Sequence, residues 1–291
     1  MANSITLFKK YIDLLDEVYK QSSMTSMLDG DTSLVRAGAN TNEIIIPKIS
    51  MDGLADYSRN SGYVKGDVTL TNETVKFNYD RGRKFSVDNM DNEETAGLAF
   101  GKLSSEFIRT KVVPEMDAFR FATYAGTAGI SKATAATLAD GTAVLAALVA
   151  AQSKMDEDEV PYENRILFIT PTLYNMVNAV DTNKSKEVLS SFSKIQKVPQ
   201  TRFYTTIDLL DGTSDNELAG GYKKNATSGK DINFMVIHKD ALMQYPKHTV
   251  NKVVSPEENQ TDDGWMFFYR AYGLADVYEN KTAGIYLHNK A

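Results

Sequence analysis

The stretch that most resembles a reactive site is a glycine-rich run with a lysine. Residues 97–102 place Gly97, Gly101 and Lys102 in an order similar to that of a phosphate-binding loop. The spacing is one residue short, and Leu103 stands where serine or threonine would hold magnesium. The run also falls inside a predicted helix, so the residues favour helix packing over phosphate binding.

Metal-ligating side chains are present, but their spacing does not suit a metal. The run that begins at Asp181 opens like a calcium loop, yet Lys186 occupies the glycine position. Phe192 occupies the position of the bidentate glutamate. The acidic run at 156–159 is typical of a solvated turn. We therefore expect no bound metal.

Covalent catalysis has no recognisable framework in this sequence. There is no cysteine and no G-x-S-x-G motif around a serine. The three histidines share no ligand spacing; they are His238, His248 and His288. We expect no enzyme activity and no cofactor. A soluble enzyme or ligand-binding domain stays as an alternative, since sequence alone does not show which carboxylates meet in a cleft.

Two further stretches suit a polyanion or a partner chain. The aromatic run WMFFYRAYG at 265–273 suits either base stacking or a core strand, and the core strand is favoured. The densest basic cluster contains Arg81, Arg83 and Lys84, which suit a phosphate contact or an ion pair with another subunit. The net charge of −6 and the pI of about 5.2 do not support strong nucleic-acid binding.

Length and composition indicate an ordinary globular protein. The 291 residues are enough for one large domain or two lobes. Hydrophobic residues make up 42% and charged residues 24% of the chain, which is typical of soluble domains. No run of 18 apolar residues predicts a membrane span, and the N-terminus does not resemble a signal peptide.

The longest helical pattern extends from residue 89 to 126. Apolar residues recur every three or four positions, for example at Phe100, Leu103 and Phe107. Pro114 interrupts the pattern, because proline lacks a backbone donor and clashes with the preceding turn. We therefore predict a bend or a restart within a few residues of Pro114, with Pro114 beginning a second helical part that ends near Gly126.

Two β-rich stretches precede this helix and flank a glycine-containing loop. They are residues 43–49 and a long segment from Val68, in which Asn72 and Glu73 predict a bulge or turn. Pro47 restricts the first stretch to a sheet edge or to an end of pairing. A two-stranded hairpin is at best marginally stable in water, so we expect another chain to support it.

The rest of the chain mixes helices and strands. We predict an amphipathic helix at 4–20, an extended arm at 21–42, and a helix at 142–155 that is buried on most sides and capped by Asp140. Thr170-Pro171 predicts the start of a helix after a buried strand at 165–170. Further expected elements are a short helix at 186–195, strands at 203–210 and 232–238, a helical turn at 239–244, extended segments at 252–255 and 265–274, and a strand at 276–287.

The order of these parts and several local strings resemble tailed-phage major capsid proteins of the Hong Kong 97 type. The resemblance is to coat proteins of phages that infect Gram-positive bacteria, and it extends from about Ile5 to Lys290. The strings that carry it are GLADYSRNSGYVKGDVTL, YDRGRKFSVDNMDNEET, VVPEMDAFRFATYAG, RILFITPTLYNMV and WMFFYRAYGLADVYENKTAGIYLHNK.

This resemblance implies an α+β fold with four parts. These are an N-terminal helix and arm at 1–42, an extended hairpin loop (E-loop) at 43–87, a peripheral domain with the spine helix at 88–134 and 251–291, and a mixed α/β axial domain at 135–250. The hairpin is expected to lie over a neighbouring subunit. Intersubunit contacts are expected at Arg59, Tyr63, Lys65, Arg81 and Arg83.

The resemblance also implies a structural role. Copies of the chain would form pentamers and hexamers of an icosahedral head around double-stranded DNA, in the host cytoplasm during assembly and then in the virion. Expected partners are the chain itself, a portal protein, weakly held DNA and, as an optional addition, a decoration protein, but no membrane. About forty residues precede the first predicted strand, which predicts a separate scaffolding protein. The alternative is an encapsulin-like nanocompartment shell.

Some members of this family cross-link a hairpin lysine to an asparagine of a neighbour. Lys65 and Asn280 are the residues of this chain that suit those roles. Most relatives do not cross-link, and we do not expect a cross-link here.

Overall fold

Strands form the framework of the chain, which a computed structural model describes for residues 22–30, 43–94, 102–180 and 182–291. The strands are β1 Glu43–Met51, β2 Val68–Lys76, β3 Tyr79–Asp88, β4 Ser131–Lys132, β5 Arg165–Ile169, β6 Lys194–Lys197, β7 Ile207–Leu209, β8 Tyr222–Lys224, β9 Ile232–His238, β10 Leu242–Val254, β11 Gly264–Val277 and β12 Ile285–Asn289. They pair in four sheets, of order β1-β2, β10-β11-β3, β4-β12-β9-β5-β6 and β7-β8.

Helices connect and cover these sheets, so the predicted α+β class is confirmed. They are α1 Asn89–Glu94, α2 Leu103–Phe107, a π-helical turn Ile108–Val112, α3 Val113–Gly126, α4 Gly141–Glu157, α5 Pro171–Asn178 and α6 Thr182–Ser190. Short 3₁₀ turns occur at Ser26–Leu28, Gln200–Arg202, Lys239–Ala241 and Glu279–Gly284. The helix predicted at 4–20 and the glycine run at 97–101 lie outside the described residues.

The predicted second helical part begins beside Pro114, at Val113, but the helix is continuous there. The π-helical turn ends at Val112, and α-helical hydrogen bonding begins at Val113, which places Pro114 in the first turn of α3. Proline has no N–H to donate, and the first turn of a helix does not need one. The backbone angles at Val112 and Val113 stay helical. The hydrogen-bond spacing of the helix therefore changes beside Pro114, while the helix itself does not break.

The five-stranded sheet is buried on both faces. In β5, Ile166 and Phe168 contact a cluster that includes Phe121 of α3, whereas Leu167 and Ile169 contact a cluster beneath α4 and α5. Successive side chains of a strand point to opposite faces, so a strand covered on both sides is apolar throughout. This explains why RILFI is a continuous apolar run, and it confirms the predicted buried strand.

Helix α4 differs from its prediction in how much of it is buried. Only one face is covered, at Val144, Leu148, Ala151 and Met155, with the three- and four-residue spacing of an amphipathic helix. The prediction of burial on most sides was wrong, because alanine is apolar enough to suggest a core yet small enough to stay exposed. The predicted cap is confirmed: Asp140 accepts a hydrogen bond of 2.8 Å from the amide of Ala143.

Several predicted boundaries needed correction. The pairing of β1 with β2 is unbroken, so there is no bulge or turn at Asn72-Glu73. The expected strand at 276–287 is two strands separated by the 3₁₀ turn Glu279–Gly284. The expected strand at 203–210 contains only Ile207–Leu209, and the helix expected at 186–195 is Thr182–Ser190.

The aromatic run WMFFYRAYG lies in β11, the central strand of the three-stranded sheet. Phe267 is fully buried, with its ring centroid 6.3 Å from those of both Phe85 and Phe107. Phe85 and Phe107 themselves pack edge to face at 4.7 Å. Strand β3 and helix α2 thus meet on β11 through three phenylalanines, which confirms the core-strand interpretation over a stacking platform.

Residues 22–30 are not a free polar arm, contrary to the prediction for this part of 21–42. Met24 and Leu28 are buried in the cluster that also holds Phe121. The neighbouring backbone donates to the carboxylate of Asp117 on α3. The polar composition of this segment is explained by that buried carboxylate, which needs donors, rather than by exposure to solvent.

Two buried histidines predict acid sensitivity. Burial lowers the pKa of both His238 and His288. The side-chain amide nitrogen of Asn233 lies 3.0 Å from Nδ1 of His288 and donates to it. Nδ1 therefore cannot be protonated without losing this hydrogen bond.

A histidine whose pKa is lower in the folded state takes up more protons when unfolded. Stability is therefore greatest above the unfolded pKa of about 6.5 and falls as pH drops below it. We expect the urea midpoint to be lower at pH 5.5 than at pH 7.5 and His288→Gln to reduce the difference. Burial raises the pKa of Asp276, which opposes this trend. A pH-independent midpoint would contradict the prediction.

Candidate assembly surface

Strands β1 and β2 form a projecting two-stranded ribbon. Nine residue pairs join them in antiparallel register, from Glu43–Lys76 at the root to Met51–Val68 near the tip. Nine paired residues correspond to a length of about 30 Å. Within the described residues, each of these strands pairs only with the other, and Pro47 lies on the edge strand as predicted.

The root of the ribbon is fixed to the body of the protein. Ile44 and Val75 are buried against Met243 and Leu274 of the three-stranded sheet. On the same face, Lys48 lies 2.9 Å from a carboxylate oxygen of Glu73 and also contacts Glu279. The root therefore orients the ribbon, and the remaining length extends away from the core.

The outer half of the ribbon exposes apolar side chains. Ile49 faces Leu70, and Met51 faces Val68, so both pairs lie on one face of the ribbon. All four side chains are more than half exposed. An apolar face exposed to water does not stabilise a monomer, whereas such a surface is typical of a protein interface.

The tip at 52–67 is ordered by its own hydrogen bonds. The amide of Asp52 donates to the carbonyl of Asp67, and Ser58 and Gly62 exchange backbone hydrogen bonds of 3.3 and 2.7 Å. Gly62 adopts φ of 75°, a left-handed conformation that favours glycine. The rings of Tyr57 and Tyr63 pack edge to face at 4.9 Å. The tip is thus preorganised without support from the rest of the described chain.

Eight of the twelve large hydrophobic side chains that the described structure exposes lie between residues 49 and 70. At the tip they include Leu54, which is completely exposed, and Tyr63, which is 91% exposed. This concentration makes the hairpin the strongest candidate for a functional surface. Its exposed hydrophobic side chains are of the kind that protein interfaces cover.

Three of the residues predicted for intersubunit contact lie in this tip. Arg59, Tyr63 and Lys65 are all exposed. A single chain does not test whether they contact a neighbour, so their role stays a prediction. Asn280, the asparagine that would suit a cross-link with Lys65, is exposed in the 3₁₀ turn after β11.

Arg81 and Arg83 lie elsewhere, on β3, and have partners in their own chain. Arg81 donates to Glu115 of α3 at 2.8 Å and to the carbonyl of Leu210 at 2.7 Å. Arg83 donates to the carbonyl of Leu218 at 2.9 Å. These contacts hold the loop between β7 and β8 against β3 and α3. The predicted contact with another subunit stays untested, but the intrachain partners already account for both guanidinium groups.

Burial affects the phenol next to this cluster. Burial raises the pKa of Tyr79, and the nearby Glu115 carboxylate raises it further. The hydroxyl of Tyr79 lies 3.4 Å from Glu115, as a donor to the same oxygen that Arg81 contacts. This arrangement joins β3 to α3.

Sequence reasoning missed the apolar face of the ribbon. The signal was present as a two-residue alternation that places Ile45, Ile49 and Met51 on one face. It was hidden by Ile44 and Ile46 on the other face, which make the run look uniformly apolar. Only the register shows which isoleucines face the core and which face solvent.

Two negative findings concern other kinds of site. In the described parts of the chain, no group of three histidine, cysteine or acidic side chains is positioned to hold a metal ion. Among the same residues, no helix is long and apolar enough to cross a membrane.

Structures of phage capsids share this fold across nearly the whole chain. The chain resembles a structure from Mycobacterium phage Che8 with a TM-score of 0.66 and 12% identity, over 99% of this chain and 98% of that one. It resembles the mature capsid of bacteriophage PhiM1 with a TM-score of 0.67 and 10% identity, over 98% and 92%. A virus-like particle from Pyrococcus furiosus matches with a TM-score of 0.53 and 12% identity, over 87% of each chain.

Comparisons of sequence alone find no match for this chain. No protein-family model matches the chain. No curated protein matches it either. The structural likeness establishes the Hong Kong 97-type fold of tailed-phage major capsid proteins, as the local strings predicted.

Proposed function

We propose that this chain, which has the Hong Kong 97-type capsid fold, is the major capsid protein of a tailed phage. Its copies would assemble as pentamers and hexamers into an icosahedral head around double-stranded DNA. The observation that carries the proposal is the projecting hairpin, whose outer half exposes a concentration of apolar side chains. No segment of the described chain covers that surface, so a neighbouring copy is the natural partner.

Burial of this surface would contribute hydrophobic free energy to assembly. Burying one side chain of the valine, leucine, isoleucine or methionine type contributes about 1.5–3 kcal/mol. Eight exposed hydrophobic side chains therefore offer on the order of 10 kcal/mol per copy before the costs of association. Because one surface patch contacts a different patch on the next copy, the interface is heterologous and closes by symmetry.

The proposed division of labour follows the predicted boundaries. Residues 43–87 would lie over the neighbouring subunit, and residues 88–134 and 251–291 would form the peripheral domain. Residues 135–250 would form the axial domain around the five-fold and six-fold centres. The root contacts of the ribbon support the hairpin's part in this division, because they anchor it to Met243 and Leu274 and leave its outer half uncovered.

The same proposal includes the partners of a phage head. Assembly would use a separate scaffolding protein and a portal protein in the host cytoplasm, and the product would be the virion, with a decoration protein as an optional addition. The net charge of −6 supports weak, non-specific contact with the packaged DNA, because a strongly basic inner surface would hold it tightly. The role is structural and requires no catalytic site.

A second candidate is an encapsulin-like nanocompartment. The match to a virus-like particle from Pyrococcus furiosus favours keeping it, although its TM-score is below that of the phage capsids reported above. The two candidates share a shell and differ in its contents. Packaged DNA of genome length would support the capsid, and a packaged enzyme would support the nanocompartment.

The decisive experiment is microscopy of the purified full-length chain, alone and with a co-expressed scaffolding protein. We expect closed icosahedral particles containing pentamers and hexamers. A chain that stays monomeric under all conditions would contradict both shell functions. Mass spectrometry and nucleic-acid extraction of the particles then identify the contents.

A further inference from the structure

A cleft separates the spine helix from the loop between β7 and β8. Its volume is about 830 Å³. One wall is β3, whose alternate side chains at Tyr79, Arg81 and Arg83 face the cleft. A second wall is the helical face at residues 103–114, and the third is formed by residues 201–224. The cleft is therefore built by three elements that are distant in sequence.

The walls of the cleft are positively charged in an otherwise acidic chain. Six cationic side chains line it: Arg81, Arg83, Lys102, Lys111, Lys223 and Lys224. Three carboxylates line it: Glu106, Glu115 and Asp211. The balance of six cations against three anions gives a net charge of +3, whereas the whole chain carries −6. An anionic occupant is therefore favoured.

Most of these charges already have partners, which limits the kind of occupant. Arg81 and Arg83 are held by Glu115 and by backbone carbonyls, and Lys224 lies 2.7 Å from Asp231. Lys111 is exposed and has no acidic partner among the described residues. Lys223 is exposed and lies 3.6 Å from Glu217, a loose contact. Two lysines are thus available, which suits a short acidic peptide better than a nucleic-acid strand.

The chain itself carries a suitable acidic segment in the turn between β10 and β11, residues 255–263. Asn259 orders this turn, because its side chain donates to the carbonyl of Gly264 and accepts from the amide of Thr261. Glu257 and Glu258 are exposed in its first half and have no side-chain partner among the described residues. An ordered turn loses little conformational freedom on binding, so it is well suited to be a ligand.

We propose that the acidic turn of one copy binds in the basic cleft of a neighbouring copy, with Glu257 and Glu258 facing Lys111 and Lys223. The contact joins two different surfaces and thus adds a second heterologous interface to that of the hairpin. This inference rests on the proposed function, because it concerns contacts between copies in a shell.

A charge exchange tests the contact. We expect K111E/K223E and E257K/E258K each to slow particle formation about tenfold, measured by light scattering, because rim charges act mainly on the rate of association. The combined variant, with all four substitutions, again has opposite charges on the two surfaces, with the signs exchanged. We expect its rate of particle formation to return to within about threefold of wild type. K111Q/K223Q and E257Q/E258Q, which remove charge without reversing it, are expected to have smaller effects.

Controls separate this contact from general effects of charge. K186E/K194E changes the net charge by the same amount at two exposed lysines outside the cleft, and it is expected to assemble normally. Circular dichroism melting establishes that each variant is folded. Normal assembly of both charge-reversed variants, or failure of the combined variant to recover, would overturn the proposal while leaving the shell function intact.

A wild-type chain that forms no particles would contradict the proposed function and this contact together. The same variants also test whether the cleft binds nucleic acid instead of the acidic turn. Such binding would be shown if K111E/K223E lost binding to a fluorescent single-stranded oligonucleotide yet assembled at the wild-type rate, and this too would overturn the proposal.

Discussion

Replacing Asp117 with alanine is expected to lower the free energy of unfolding by about 3–5 kcal/mol, the range for breaking a buried ion pair. Asp117 is fully buried in α3. It accepts hydrogen bonds from the guanidinium of Arg202 at 3.0 Å, from the hydroxyls of Ser23 and Thr25 at 2.8 and 2.7 Å, and from the amides of Met24 and Thr25 at 3.0 and 3.2 Å.

The large effect follows from what the alanine would leave behind. Arg202 is 3% exposed, so its charge would stay buried without a counterion. The three buried donors of Met24 and Thr25 and the partly buried hydroxyl of Ser23 would also lose their acceptor. Arg120 donates to Thr25 and Asp29, but it brings a second positive charge and so does not replace the carboxylate.

Urea unfolding measures the change, with Asp140→Ala as the matched control. Asp140 is also a helix-associated aspartate, but it is exposed and accepts a single backbone hydrogen bond. Its loss is expected to cost about 1 kcal/mol, as for other N-cap residues. Hydrogen exchange of residues 22–30 should rise in the Asp117 variant and not in the control. A loss below about 1 kcal/mol for Asp117→Ala would contradict the central role of this carboxylate.

The role of Asp117 was not predictable from the sequence. By pattern it is an acidic residue shortly after Pro114, where the positive end of a helix dipole favours negative charge. Its partners are more than 80 positions away in both directions, at residues 23–25 and at Arg202. No local rule connects such positions, and the same separation in sequence explains why the pattern of residues 22–30 predicts an arm.

Local patterns predicted the elements that depend on few neighbours. Thr170-Pro171 begins α5, Asp140 caps α4, and β5 is buried throughout, because each depends on adjacent residues or on apolar content alone. Strand ends were less predictable. Strand β11 continues to Val277 because β10 extends beside it, and pairing is a tertiary property.

The candidate surface was predicted in outline but not in its residues. Pattern alone gave a polar hairpin in need of support, and the resemblance added Arg59, Tyr63 and Lys65. The structure adds the apolar pairs Ile49–Leu70 and Met51–Val68, which only the register reveals. In the proposed assembly, these hydrophobic side chains would contribute more to the contact with a neighbouring copy than the charged ones.

Replacing Leu54, Tyr57 and Tyr63 together with serine is expected to abolish particle formation while leaving the folded chain as stable as before. All three side chains are exposed, and the hydrogen bonds of residues 52–67 stay within that segment in the described structure. Their removal should change the free energy of unfolding by no more than about 0.5 kcal/mol. At an interface the same side chains would be buried, and each truncation there removes on the order of 1.5–3 kcal/mol.

Separation of these two effects distinguishes an assembly surface from a structural one. Sedimentation and electron microscopy measure assembly, and urea unfolding of the unassembled chain measures stability. Serine at Val149, Tyr162 and Val253 is the matched control, because these are also exposed hydrophobic residues but lie outside the hairpin. If the hairpin variant assembled at the wild-type rate, the tip would not be an interface. If it unfolded more readily than the control, the tip would contribute to the monomer, and its apolar side chains would no longer argue for a neighbouring copy.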